Sequence, residues 1–429
     1  MKKEVRRRLQ LILRGFQSRN YCLYFAGQGV SLIGSWMQNL AMSWLVYRLT
    51  HSAMLLGVTG FLSQAPTLLV APFAGVIIDR SNKRTIVIAM QVIAMLQALA
   101  LALLVFSHAV AVWHILALSV VVGLVNAFDV PARQSFIVEM VEQRDHLSNV
   151  IALNSVMFNS ARLIGPAIAG VLIAVAGEGV CFLINSFSFG AAIAALLLMA
   201  LPRSATASAH RHFLNELREG FSTAFGCAPI RALLLLTGWV SLVALPYGVL
   251  LPVFAREVLR GDSQTLGFLT AAVGCGALVG ALYLASRPSV AGLGPLVAVA
   301  TGLFGAGLTG FALSRHFVVS LALMLVIGFG VLVQLASTNT LVQTLVADDK
   351  RGRVMSIYTM SFMGVVPLGC LLTGWCAQRI GAPRTQLIGG VACMAAALVF
   401  ALRLPAFAHL LRPAAGHVAE QPLVAQPNA

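Results

Sequence analysis

Two ionisable residues stand where a charge is costly. Arg162 lies about 14 residues into an apolar run, 148–176, close to its middle. At about 1.5 Å of rise per residue, that is near the midplane of a membrane-spanning helix. A guanidinium there needs a partner or a wet cavity, and no acid in the N-terminal half falls at the same depth. Two roles fit: it lines a cavity and binds an anionic or polar substrate or repels the site of a coupling proton, or it bonds Asn159, Gln28 or backbone carbonyls and ties helices together. Asp129 closes the run 111–130, next to Pro131. Pairing with Arg84 or Arg133 would keep it ionised, and losing the pair would raise its pKa. It is the candidate for proton coupling, with a purely structural acid as the alternative. Amides and aromatics supply candidate cavity groups: Gln28, Trp36, Gln38, Asn154, Asn159, Tyr247, Gln334 and Asn339. Asn39 adjoins Gln38, and neighbours about 100° apart on a helix cannot both face one path. Asn185 is expected to bond helix to helix.

The elements that hold these residues follow from composition. Of 429 residues, 59% are hydrophobic and 10% charged, against about 25% charged in an ordinary soluble domain. A soluble globular enzyme, a disordered chain and a fibrous protein are excluded. Runs of about 20 apolar residues suit membrane-spanning helices. Twelve are predicted, over 22–49, 53–78, 85–107, 111–130, 148–176, 180–201, 229–254, 265–286, 294–314, 317–340, 353–379 and 385–404. Counted by loop parity, the side holding both termini receives 21 Lys and Arg, and the other side six. The positive-inside rule therefore places both termini in the cytoplasm.

Four segments are expected: a six-helix bundle over 1–201, a cytoplasmic linker with an amphipathic helix over 202–228, a second six-helix bundle over 229–405 and a cytoplasmic tail over 406–429. The halves look related. Asn126 to Pro131 precedes a polar loop and a span with Pro166, and Gln334 to Asn339 precedes a polar loop and a span with Pro367. The net charge of +15 is a topology signal, since no nucleic-acid motif accompanies it. The seven cysteines have neither CxxC nor metal spacing, so free packing thiols and no metal are expected. No cleavable signal peptide is expected. No Walker A sequence provides for ATP, and no Ser/His/Asp grouping at one depth suggests an enzyme. The glycine-rich stretch from Gly274 to Gly280 reads as close helix packing.

The segment Gly75, Asp79, Arg80, Lys83, Arg84 resembles the loop motif of the major facilitator superfamily, Gly-x-x-x-Asp-Arg-x-Gly-Arg-Arg. Asn82 replaces the second Gly, and its tolerance of positive φ would preserve the turn. Asp129-x-Pro131-Ala132-Arg133-Gln134, the Gly165-Pro166 pair with Gly170, and the run from Lys350 to Ser356 around Arg353 are similar to a narrower branch. This is the enterobactin-exporter-like branch, also called transmembrane secretion effectors. The resemblance spans about Asn20 to Pro405. It implies an all-α membrane protein, with twelve helices in two pseudo-symmetric bundles (the major facilitator fold). It also implies a cytoplasmic latch from Gly75, Asp79, Arg80, Lys83, Arg84, Arg133 and Arg353, with Lys83 or Arg84 reaching Asp129 and Asp79 facing the start of span eleven. The implied activity is export of a siderophore or similar amphiphilic metabolite across the cytoplasmic (inner) membrane, by alternating access and proton antiport. The proton motive force stands where a cofactor would. Broad drug or macrolide efflux is the alternative, and a lipid-handling or enzymatic membrane protein is the alternative of another class. Expected partners are a small-molecule substrate and membrane lipids, without nucleic acid; a monomer is compatible with this reading.

Overall fold

The computed structural model describes residues 14–140, 147–199, 221–287, 289–347 and 350–411; within these, the side chains of 14, 71, 72, 76, 79, 139, 147, 148 and 407–411 are not described. Long apolar runs separated by very short connections leave the chain little choice but antiparallel helices. Among the described residues, twelve long helices form: α1 (Arg19–Thr50), α2 (Ala53–Asp79), α3 (Lys83–Phe106), α4 (Val112–Met140), α5 (Leu147–Ala176), α6 (Glu178–Leu198), α7 (228–258), α8 (Ser263–Ala285), α9 (Leu293–Leu313), α10 (Phe317–Leu345), α11 (351–380) and α12 (Ala382–Leu411). Ser18, Ser52 and Asp262 cap α1, α2 and α8 by accepting from backbone N–H groups in the first turn, which satisfies donors that lipid could not.

Among the described residues, eleven of these helices are long and apolar enough to span a membrane. The exception, α1, has 32 residues and so a length of about 48 Å. Its mean hydropathy is lowered by polar residues such as Gln28, Ser31 and Gln38, which are buried against other helices.

Helices α1–α6 pack among themselves, chiefly α1 on α5 and α6, α2 on α4, and α3 on α4 and α6; α7–α12 do likewise, chiefly α8 on α10 and α9 on α10 and α12. The two halves meet along α2 with α11 and along α5 with α8. Both seams rest on glycine, because backbones this close leave no room for side chains. A Cβ on Gly170 would lie 2.9 Å from the Gly267 Cα, and one on Gly57 would lie 2.6 Å from the Cys370 carbonyl oxygen.

Several boundaries differ from expectation. Helix α4 continues through Pro131 to Met140, so Asp129 sits inside it, roughly 16 Å from its end. Helix α12 passes Pro405 to Leu411. Helix α7 is interrupted by a 3-10 stretch, Leu245–Leu250, and a π turn, Phe254–Val258; Pro246 and Pro252 lack the N–H groups that a regular ladder needs. A π turn, Met360–Gly364, precedes Pro367 in α11. Of the predicted linker, only residues from 221 onward are described.

Candidate substrate path and coupling site

Helix α5 carries Arg162 on the same face as Phe158, one turn earlier. The guanidinium lies 5.7 Å from the centre of the Trp36 ring on α1, and Trp36 meets Phe158 edge-on at 5.9 Å. From the other half, the buried Tyr247 hydroxyl on α7 also neighbours the guanidinium. Tyr247 is backed by Phe304 on α9 at 6.1 Å. Trp36, Arg162 and Tyr247 thus converge where the halves face each other. Phe158 was not singled out from sequence, although its i, i+4 spacing to Arg162 was the available signal. It is 45% exposed, which leaves one side of the box open.

The other cavity candidates divide. Asn154 and Asn159 are half-buried on α5, and the Asn159 amide donates to the Ser155 carbonyl. Gln38 does not face a path. It donates to Gln97 on α3 at 2.8 Å and accepts from Asn185 on α6 at 2.8 Å, so it clasps three helices. Asn39 is the exposed neighbour. Gln28 is buried as well. On α10, Gln334 donates to Thr338 at 3.4 Å, and Asn339 accepts from Gln343.

Asp129 is 4% exposed. Its carboxylate accepts from Arg133 one turn along α4 and from Gln91 on α3 at 3.3 Å. Ser31 on α1 donates to that Gln91 at 3.4 Å. The buried Tyr24 hydroxyl on α1 lies within electrostatic reach of both Asp129 and Arg133. A buried carboxylate persists only when paired, and here the pair is internal to α4. Arg84 is not that partner; it donates to the Leu197 carbonyl on α6 at 3.0 Å. Nothing in the spacing pointed to Gln91 or Tyr24.

At the expected latch, Asn82 has φ −69° and caps α3, accepting from the Thr85 N–H at 3.2 Å. It works as an N-cap rather than a positive-φ turn. Arg80 is exposed at the end of α2, and Lys83 opens α3. A Cβ on Gly75 would meet nothing within 4 Å, and the same holds for Gly352, beside Arg353. The side chain of Asp79 lies outside the described residues.

The opposite end, away from the termini, is where the halves bond. Ser263 donates to the Gly170 carbonyl at 3.0 Å. Ser52 and the Met54 N–H donate to Gln378 at 3.1 and 3.3 Å. Tyr47 on α1 donates to Glu257 in the π turn of α7. Along α2 and α11 the seam extends as far as Leu68 against Gly364. Toward the end near the termini, the backbone at Gly75 and Gly352 borders open space.

Two six-helix bundles joined along two glycine seams, with a charged aromatic box between them, define a multi-pass membrane transporter of the twelve-helix class. The family model described as transmembrane secretion effector matches residues 15–428, and the chain belongs to that family of the major facilitator superfamily. The chain is similar to the staphyloferrin A transporter of Staphylococcus aureus (27% identity, 88% of this chain and 94% of the relative). It is also similar to macrolide efflux protein A of Streptococcus pyogenes (23%, 87% and 93%) and to the multidrug efflux pump Tap of Mycobacterium tuberculosis (27%, 90% and 91%). Among solved structures, a POT family transporter in complex with a thioalcohol-conjugated peptide matches with a TM-score of 0.73 at 12% identity, covering 89% of this chain and 95% of that one. A bacterial homologue of the lysosomal transporter Spinster matches at 0.69 and 15%, covering 91% and 98%. At these identities the structural likeness concerns the fold.

Proposed function

We propose that this chain is a secondary active exporter. It carries a siderophore or similar amphiphilic metabolite out of the cytoplasm across the cytoplasmic membrane, by alternating access coupled to proton antiport. The observation that carries this reading is the set of bonds between the halves at the end away from the termini, Ser263 to Gly170, Ser52 to Gln378 and Tyr47 to Glu257, with open space beside Gly75 and Gly352 near the other end. With the termini in the cytoplasm, as the Lys and Arg bias favours, the path is open to cytoplasmic cargo. Segments 1–201 and 229–405 rock against each other about the two seams, linked by 202–228. Asp129, held by Arg133 and Gln91, is the proton site of the cycle, and its exchange is tied to the rearrangement that moves Arg133. Gly75, Asp79, Arg80, Lys83, Arg84, Arg133 and Arg353 form the cytoplasmic latch of the alternate state. The likeness to the staphyloferrin A transporter supports a siderophore-type cargo.

Broad drug efflux is the second reading, favoured by the likeness to macrolide and multidrug pumps. Mass spectrometry of cells and spent medium separates the two. A deletion strain and its complement, grown with limited iron, are compared. An iron chelator retained in the deletion cells and missing from their medium supports the siderophore reading. Matched profiles, together with sensitivity to lipophilic antibiotics, would replace it with drug efflux.

A further inference from the structure

Among the described residues, no acid pairs with Arg162. Asp129 is the only acid more than one turn inside any of the twelve helices among the described residues, and its carboxylate is taken by Arg133 and Gln91. Asp79, Glu178 and Glu257 lie at helix ends, and α5, α8, α9, α10, α11 and α12 contain no acid at all. What surrounds the guanidinium is an aromatic face, Trp36, and a neutral hydroxyl, Tyr247. A cation–π contact offsets part of a half-buried cation's desolvation cost, but occupies a face of the guanidinium and leaves the N–H edge beyond its bond to Tyr247. That edge matches a planar oxyanion, which can accept two parallel hydrogen bonds.

We infer that Arg162 is the anchoring site for an anionic oxygen group of the cargo, so that this transporter selects carboxylate-type amphiphiles and disfavours cations. The inference rests on the export reading above and narrows it to a substrate class. Each neighbour has a part. Trp36 and the half-open Phe158 give a flat apolar group a surface to lie on. Tyr247, from the opposite half, adds a hydroxyl donor to an anion held by Arg162. A bound anion therefore touches both halves at once, and its occupancy favours their approach. A cationic cargo meets like charge in a low-dielectric path and has no acid to bind instead.

The test uses the full chain, purified in lipid nanodiscs, with three probes of one shape: radiolabelled 2-naphthoate, 2-naphthamide and 2-naphthylmethylamine. The wild type is expected to bind naphthoate at least tenfold more tightly than the amide and to bind the amine most weakly. R162Q should weaken naphthoate binding about tenfold to a hundredfold while leaving naphthamide within twofold, the range for losing a charge-assisted contact. R162K, which keeps the charge without the planar fork, should fall between them. Naphthoate binding that is absent, or no tighter than that of the amide or the amine, overturns the inference, and this arm needs no variant to fold. The deletion-strain profiles separate its failure from that of the export reading. A neutral or cationic metabolite lost from the medium would sink the anion site and leave export standing; naphthoate selectivity without any exported metabolite would do the reverse.

Discussion

The Tyr47 hydroxyl donates to the Glu257 carboxylate, joining the last turn of α1 in one half to the π turn of α7 in the other. A regular α-helix over Phe254–Val258 would aim Glu257 elsewhere, so the wider turn is part of how the bond is made. A hydrogen bond to a carboxylate contributes about 1.5–3 kcal/mol, enough to bias an equilibrium between two nearly balanced conformations by tenfold or more. Close by, Arg48 grips Glu178 with two bonds, at 2.7 and 3.2 Å. That pair lies within one half and Arg48 is 52% exposed, so it adds about 1 kcal/mol or less.

Tyr47→Phe should therefore loosen the closed end, whereas Arg48→Ala should not. The readout is cross-linking between S52C and Q378C in a background without native cysteines, since these positions touch across the seam. Yield should fall severalfold with Tyr47→Phe and stay near wild type with Arg48→Ala. Equal yields in both would remove Tyr47 and Glu257 from the gate.

Much of the fold was legible because hydrophobic length reports directly on membrane-spanning helices. The limits show at particular residues. Pro131 reads as a helix end, yet lipid makes it cheaper to continue the helix around one missing N–H than to break the ladder. Gln38 and Asn39 are indistinguishable in type, and only the placement of Gln97 and Asn185 decides which turns inward. Asp129 is visible as an isolated acid, but its bond to Gln91 depends on how α3 packs against α4, which no local spacing encodes.

Asp129→Asn keeps the size and a hydrogen-bonding oxygen for Gln91 but removes the titratable charge. In vesicles with an imposed pH gradient, gradient-driven accumulation of the cargo should be lost while downhill flux persists. Wild-type response to the gradient in this variant would mean that the proton binds elsewhere or that protons are not coupled at all.

The Gln38, Gln97 and Asn185 clasp is structural by its geometry. Asn185→Leu leaves the Gln38 carbonyl oxygen, 5% exposed as a residue, without its donor. Inter-helix bonds of this kind average about 0.6 kcal/mol in membranes and reach about 1.7. The melting temperature should fall by a few degrees and cargo affinity should hold. Asn39→Ala should do the reverse, weakening cargo binding severalfold with an unchanged melting temperature, because the Asn39 side chain is exposed.

Glycine contacts separate the two ends of the transport cycle. On Gly170 a Cβ would fall 2.8 Å from the Ser263 carbonyl oxygen and 2.9 Å from the Gly267 Cα. Backbone cannot step aside as a flexible side chain can, so Gly170→Val should force the α5–α8 seam apart and stop transport. The contacts within each half are untouched, so the protein should still insert and fold. Gly75→Val meets open space in this conformation and costs nothing here. It should obstruct only the state in which α2 and α11 approach at the end near the termini. The two variants should then have opposite signatures. Gly170→Val should lower S52C–Q378C cross-linking, while Gly75→Val should leave it at or above the wild-type yield, and both should abolish turnover. If Gly75→Val transports normally, the halves do not close at that end through α2, and the latch assigned to Asp79, Lys83 and Arg353 loses its mechanical basis.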